Sequence, residues 1–231
     1  MTRTPRERAR AQTMADITRI GRAHLAEHGA TGLSLRAVAR DLGVVSSAVY
    51  RYVRSRDELL TLLVVDGYNE LGDEVDAALG DVAESDFAEQ FRALGRAVRA
   101  WAVREPARYA LLYGSPVPGY AAPPEQTNVP GTRVVVALVG ICERAWRAGA
   151  ITRPSTSRAP QELADSFGLI RSGYGLGAPD EVVARVMHAW SAIFGAVSFE
   201  VFGQYGADTF TDPAALFEHD LDVLLETLGL V

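Results

Sequence analysis

The 231-residue sequence contains no lysine and only one cysteine, Cys142. A single cysteine excludes an intramolecular disulfide and any cysteine-based metal cluster, which suits a reducing compartment and argues against secretion. The opening stretch MTRTPRERARAQTMADITRI carries charge but lacks the apolar run of a signal peptide. Nor does any later stretch approach the roughly 18 uninterrupted apolar positions of a membrane span. A cytoplasmic chain without membrane attachment is therefore expected. All 23 basic residues are arginines, which reads first as a GC-rich coding bias and second as a supply of phosphate-binding guanidinium groups. No strand pattern competes with helical periodicity, so the expected fold is all-α.

What is present is a chain with 48% apolar residues, enough to bury a core, and a formal net charge of -6. That charge is unevenly spread. Residues 1–60 carry 11 arginines against 6 acidic residues, leaving +5, whereas residues 61–231 carry 12 against 23, leaving -11. The basic part is the N-terminus, where a nucleic-acid partner would be met. Arg3, Arg6, Arg8 and Arg10 alone decide nothing, since such a tail serves equally well to keep a chain dissolved.

Helical spacing divides the chain into segments. Ile17, Ile20, Gly21, His24 and Leu25 mark one helix over Thr13–His28, ending at Gly29. Ser34 is placed to cap a second, carried by Leu35, Val38, Ala39 and Leu42 and closed by Gly43. A third, Ser47–Tyr52, follows with Ser46 or its neighbour as cap, and Val49 and Val53 facing inward. A stripe from Leu60 to Leu79 then predicts a helix of five or six turns. Further helices are expected near Phe87–Arg104, Ala107–Tyr113, Val129–Gly149, Gln161–Ile170, Asp180–Phe202 and Pro213–Leu228. Pro- and Gly-rich loops separate them at residues 114–124 and 152–160.

The stretch SLRAVARDLGVVSSAVYRYVRSRDELL, Ser34–Leu60, combines a helix, a glycine turn and a short polar helix, an arrangement that fits a DNA major groove. Its Val-Ala step, Leu-Gly-Val turn, aliphatic-Tyr pair and Ser-Arg-Asp-Glu-Leu-Leu run, with the Ala-Glu-His-Gly ending of the first helix, resemble the DNA-binding head of the TetR family. The resemblance implies an N-terminal helix-turn-helix domain, residues 1–58, and a helical effector-binding and dimerisation domain, residues 59–231. It also implies roles for single residues. Arg36 reaches a guanine or a phosphate. Ser46, Ser47 and Ala48 face base edges, Tyr50 and Tyr52 donate to phosphates, and Arg56 fixes register. Ser34 and Arg51 complete the expected DNA-binding set. The sequence departs from the family pattern at Val45, where a small capping residue is usual, which moves the expected start of the recognition helix to Ser46. It departs again at Val53, for a common Phe, and at Arg56, for a common Lys.

In the body, Val183, Met187, Trp190, Phe194, Val197 and Val201 stripe the penultimate helix more broadly than a monomer needs. Ala189, Ala192 and Ala196 form a strip narrow enough for close helix approach, and Phe217, Leu221, Leu224 and Leu228 stripe the last helix. Pairing these helices across a twofold axis predicts a homodimer. The segment from Tyr109 to Tyr120 also resembles a family subgroup whose middle helices enclose an effector pocket. Trp101, Tyr109, Tyr113, Trp146, Phe167 and Trp190 are its candidate lining residues here. The partners so implied are double-stranded operator DNA, a small-molecule effector and a second copy of the chain. The family default is a repressor released by its effector, nucleoid-associated when bound.

An enzyme finds little support. His24 and His28 have metal-ligand spacing, but His24 falls on the inner face and His28 in the last helical turn, so no metal is expected. Cys142-Glu143 lies in an apolar helix without a positioned histidine. Gly173, Gly175 and Gly177 follow a helix and lack the Lys-Ser/Thr of a phosphate loop. No cofactor is expected. The competing non-enzymatic reading is a dimeric helical adaptor with only nonspecific DNA binding.

Overall fold

The computed structural model describes residues 4–151 and 159–230. Among these residues are ten α-helices and no strand: α1 (Pro5–His28), α2 (Leu35–Asp41), α3 (Ser46–Val49), α4 (Arg56–Gly80), α5 (Phe87–Arg104), α6 (Pro106–Tyr113), α7 (Pro124–Arg147), α8 (Ala164–Tyr174), α9 (Asp180–Val201) and α10 (Pro213–Leu228). Arg3 and residues 152–158 of the second expected loop lie outside the described residues.

Local chemistry sets the helix limits. At α10, Asp212 Oδ1 accepts the Ala215 N–H at 3.0 Å, Pro213 supplies a preset φ, and Gly229 ends the helix at φ 79°. Asp86 Oδ1 likewise accepts the Glu89 N–H at the start of α5. Both helices have the limits expected from sequence. α1 differs, beginning at Pro5 instead of Thr13, because Thr4 and Glu7 form a reciprocal capping box. α7 begins at Pro124, not Val129, and carries Pro130 inside it. α8 runs on to Tyr174, where Gly175 adopts φ 67°. α3 is a single turn preceded by Val45, and no serine side chain caps it.

Two compact units divide the chain. One joins Met1–Glu70 to Glu105–Gly131, the other Leu71–Arg104 to Thr132–Val231. This differs from a division at residues 58 and 59, because Ala107, Leu111, Val117 and Tyr120 pack on the same apolar core as the first helices. That core contains Ile17, Leu25, Val38, Val49, Val53, Leu59 and Leu63. α1 and α4 approach closely at Gly21, where a Cβ would stand 3.2 Å from Leu63 Cδ2.

In the second unit α9 packs against α5, α8 and α10. By length and composition α9 could cross a membrane, but Val183, Val186, Ile193 and Val197 are buried within the unit. α5 meets α10 at Gly95, where an added Cβ would lie 2.6 Å from Leu221 Cδ2. Arg96 with Glu218 at 2.7 Å and Arg99 with Glu200 at 2.5 Å line the edges of this packing.

Glu143 pins α7 to the turn ahead of α9. Its carboxylate accepts the Gly177 N–H at 2.9 Å, the Ala178 N–H at 3.1 Å and Arg147 Nε–H at 2.6 Å. Burial is the largest single influence and pushes this carboxyl up, but the Gly177 amide, Arg147 and the Ala178 amide together outweigh it and hold it below its ordinary value of 4.5. A lowered folded value means the carboxylate stabilises the fold above the unfolded value, and that this is lost as pH falls through the folded one. Glu143→Gln is expected to remove about 1–3 kcal/mol at neutral pH in urea melts and to flatten the decline in stability below about pH 4.5. An unaltered acid profile would show that the carboxylate is not held in this way.

Candidate nucleic-acid interface

The residues following α1 build a surface in which each buried side chain forces its neighbours outward. Val38 and Ala39 bury one face of α2, leaving Arg36 and Arg40 in solvent. Gly43, at φ 73°, closes α2, and the Val44 N–H returns to Ala39 O at 3.0 Å. The next turn buries Val49 and then Val53, whose N–H reaches Val49 O at 3.0 Å. With these two valines inward, Ser47, Tyr50 and Arg51 are exposed, while Ser46 and Ala48 are half-buried. Ser34 occupies the cap position of α2 with extended backbone, but its side chain makes no capping hydrogen bond.

Two expected DNA-contacting residues are engaged within the protein. Arg56 Nη2–H donates to Ala30 O at 2.8 Å, tying the start of α4 to the turn after α1. Tyr52 is half-buried against the apolar core, and the Arg10 guanidinium lies 5.2 Å above its ring. α2 is fastened to α1 by His24 Nε2 and Asp41 Oδ2 at 2.6 Å. This hydrogen bond, with help from Arg40, draws the Asp41 carboxyl below the usual carboxylate range.

A charged cluster behind this surface escaped the sequence reading. Arg108 on α6 is 3% exposed and meets Asp66 at 3.0 Å, Glu70 at 2.7 Å and Glu105 at 3.5 Å. Arg22 on α1 meets Asp66 at 2.6 Å and Glu70 at 2.9 Å, and the Asp66 hydrogen bond raises its pKa. A weak signal was present: Asp66 and Glu70 stand four apart on one face of α4, a mildly unfavourable like-charge pair that a nearby cation relieves. The Thr4-x-x-Glu7 pattern likewise announces the capping box at the start of α1.

The aromatic residues expected to line an effector pocket are divided between the two units. Tyr109, fully buried, and Tyr113 belong to the first unit, with Tyr113 at 6.0 Å from Tyr68 and 5.1 Å from Tyr109 between ring centroids. Burial, reinforced by those two rings, raises the Tyr113 hydroxyl pKa. Trp101, Trp146, Phe167 and Trp190 belong to the second unit. Trp101 has no exposed surface, Phe167 is 6% exposed, and Trp190 and Phe194 have tilted rings with centroids 4.2 Å apart. Trp146 lines a cavity of ≈ 340 Å³ with Arg185 and Pro179. Burial pushes the Cys142 thiol up to about 12, which removes it as a nucleophile near neutral pH.

On the α9 and α10 faces the structure brings Ala192, Ala196, Phe217, Leu221 and Leu224 together along an open groove of ≈ 380 Å³. Ala189 and Leu228, each 1% exposed, are buried in the unit and do not line this groove. Phe199 and Tyr205, 5.5 Å apart, extend the groove with aromatic surface that the sequence reading had not included.

Known proteins align with both parts of the chain. The family model described as "Bacterial regulatory proteins, tetR family" matches residues 17–63, and "Tetracyclin repressor-like, C-terminal domain" matches residues 91–224. An HTH-type transcriptional regulator of Mycobacterium tuberculosis H37Rv is 50% identical over 224 residues, covering 97% of this chain and 95% of the relative. The crystal structure of the regulatory protein SCO4313 is 34% identical with a TM-score of 0.78, covering 96% of this chain and all of that one. The fold is shared too by the transcriptional regulator FadR of Bacillus subtilis, solved with stearoyl-CoA, at 14% identity and a TM-score of 0.64, over 94% of this chain and 98% of that one.

Removing one partner from a buried ionic cluster leaves the others uncompensated. Arg108→Gln is therefore expected to cost about 3–5 kcal/mol in urea unfolding, whereas Arg104→Gln, on an exposed bridge to Glu74, should cost under about 1 kcal/mol. Equal effects would remove the special status given to Arg108.

Proposed function

Because this chain belongs to the TetR family of bacterial regulatory proteins, and is thus a transcription regulator and not an enzyme, we propose that it is an operator-specific repressor released by a small-molecule effector. The observation that carries this reading is the exposed row on and beside α3. Ser47, Tyr50 and Arg51 face solvent with Arg36 of α2, while Val38, Val49 and Val53 anchor the same turns in the core. Arg36 and Ser47 are assigned to base edges, Ser46 and Ala48 to the border of the same contact, and Tyr50 and Arg51 to phosphates. Ser34 at the start of α2 and Tyr52 after α3 are assigned to the edge of the contact, and Arg56, bonded to Ala30 O, holds the start of α4 in register. The reading head is assigned to residues 1–58 and the regulatory body to residues 59–231, acting in the cytoplasm and at the nucleoid when bound.

A second copy is the proposed occupant of the α9–α10 groove. Its apolar walls and the small side chains of Ala192 and Ala196 admit close helix approach. Two heads on a twofold axis would then address half-sites roughly 34–36 Å apart. Release requires an effector that favours the state unable to bind DNA. Tyr109 and Tyr113 of the first unit, and Trp101, Trp146, Phe167 and Trp190 of the second, are the aromatic residues proposed to sense it.

The test is a mobility shift against DNA flanking the gene, with random duplex as competitor at several salt concentrations. Arg36→Ala is expected to weaken operator binding about 5- to 150-fold, the range of a bidentate base contact, and Tyr50→Phe to weaken it less, with gel-filtration behaviour unchanged. Ala192→Glu should shift the elution position to that of a monomer and abolish the shifted band. Operator DNA bound no more tightly than random duplex would leave the nonspecific adaptor in place of the repressor.

A further inference from the structure

The first two turns of α1 bury no side chain and yet are built as a helix. Residues 4–12 are all exposed, and the first buried side chain is Ile17. Eight residues, Pro5–Gln12, thus give about 12 Å of helix that rests on no core. Ala9 and Ala11 are the only apolar side chains in that stretch besides Pro5, so hydrophobic burial cannot explain the structure. What maintains it is the end: Pro5 in the first position, with Thr4 and Glu7 exchanging hydrogen bonds at 2.8 and 3.3 Å.

The charge on this extension is arranged. Glu7 is occupied by its bond to the Thr4 N–H, which is the main cause of its lowered pKa. Arg6, Arg8 and Arg10 form no ion pair among the described residues. At about 100° per residue, Arg6 and Arg10 lie only about 40° apart, whereas Arg8 faces the opposite side. The side bearing Arg6 and Arg10 is fixed by contact, since Arg10 lies 5.2 Å above the ring of Tyr52, next in sequence to the exposed Arg51. The stripe therefore lies beside the chain segment that follows α3 and carries Arg51 and Tyr52.

We propose that Arg6 and Arg10 form a second DNA-backbone contact, a phosphate grip on a capped helical extension beside the helix-turn-helix. It rests on the DNA-binding reading above and adds an element outside the recognition motif. The occupant is the sugar-phosphate chain of the same duplex, because the stripe offers only guanidinium forks, which match phosphate oxygens and carry no base preference. The grip supplies affinity and register, and α3 supplies sequence preference.

The experiment measures the affinity of the full-length protein for operator and random duplex across a salt series, for wild type, Arg6→Gln/Arg10→Gln, Arg8→Gln and Arg36→Ala. Glutamine retains helix propensity, and matching far-UV circular dichroism confirms that the extension is still helical. Each lost phosphate contact should lower the slope of log K against log salt by about 0.9. The double variant is thus expected to lose nearly two in slope and to bind operator and random DNA equally more weakly, with their ratio unchanged. Arg8→Gln should behave as wild type, and Arg36→Ala should reduce the operator-to-random ratio. A wild-type slope in the double variant, or an equal loss in Arg8→Gln, overturns the proposal. If wild type shows no preference for operator but the double variant still loses slope, the repressor reading fails and the phosphate grip stands. If no duplex binds at any salt, both fall.

Discussion

Arg108 is the constraint around which the first unit is arranged. A guanidinium stripped of water is tolerated only where carboxylates replace that water, and here Asp66, Glu70 and Glu105 do so from α4 and from the start of α6 itself. Arg22 of α1 shares two of those carboxylates, so three helices distant in sequence meet at one charge cluster. The absence of a side chain at Gly21 lets α1 approach Leu59 and Leu63 of α4, but apolar packing is forgiving of small slides. The paired forks of Arg22 on Asp66, at 2.6 Å each, are not. Hydrophobic burial thus supplies the cohesion of this unit, and the ion cluster supplies its register.

The helices that were legible in the sequence are those whose ends carry their own signals. α5 and α10 have an aspartate cap at one end, and α10 has a left-handed glycine at the other, so periodicity and punctuation agree. α1 was legible only in its amphipathic part, because residues 5–12 have no buried face and leave no periodic trace. α7 was misplaced by Pro130: a proline usually marks a boundary, but this one lies within a helix that had already begun at Pro124. Face assignments along α9 show a further limit. Ala189, Ala192 and Ala196 look equivalent in a list of small residues, yet burial separates Ala189 from the other two by the chance of which neighbour lies opposite.

The candidate site divides in the same way. The exposed face of α2 and α3 could be read from sequence because it is the complement of Val38, Val49 and Val53, and inward valines declare themselves. The ion cluster could not be read so directly, since carboxylates on a helix face are usually solvated and only the fold brings Arg22 and Arg108 to them. The internal bond of Arg56 to Ala30 O is of the same kind: sequence reports a cation near a helix start, and tertiary structure decides whether it faces a phosphate or a carbonyl.

These features bear on how a recognition surface of one helical turn can be regulated. α3 has four residues and no side-chain cap, so its geometry is held almost wholly by what Val49 and Val53 rest upon. Part of that support comes from residues far along the chain: Ala107 and Leu111 of α6 pack on the same core, and Arg108 between them is locked to α1 and α4. A shift of α6 would change the support of the reading face within a single compact unit, without a long chain of intermediaries. Allosteric coupling of about 1–3 kcal/mol is smaller than the roughly 3–5 kcal/mol associated with breaking a buried ionic pair. A coupling of that size therefore does not require any pair of this cluster to break.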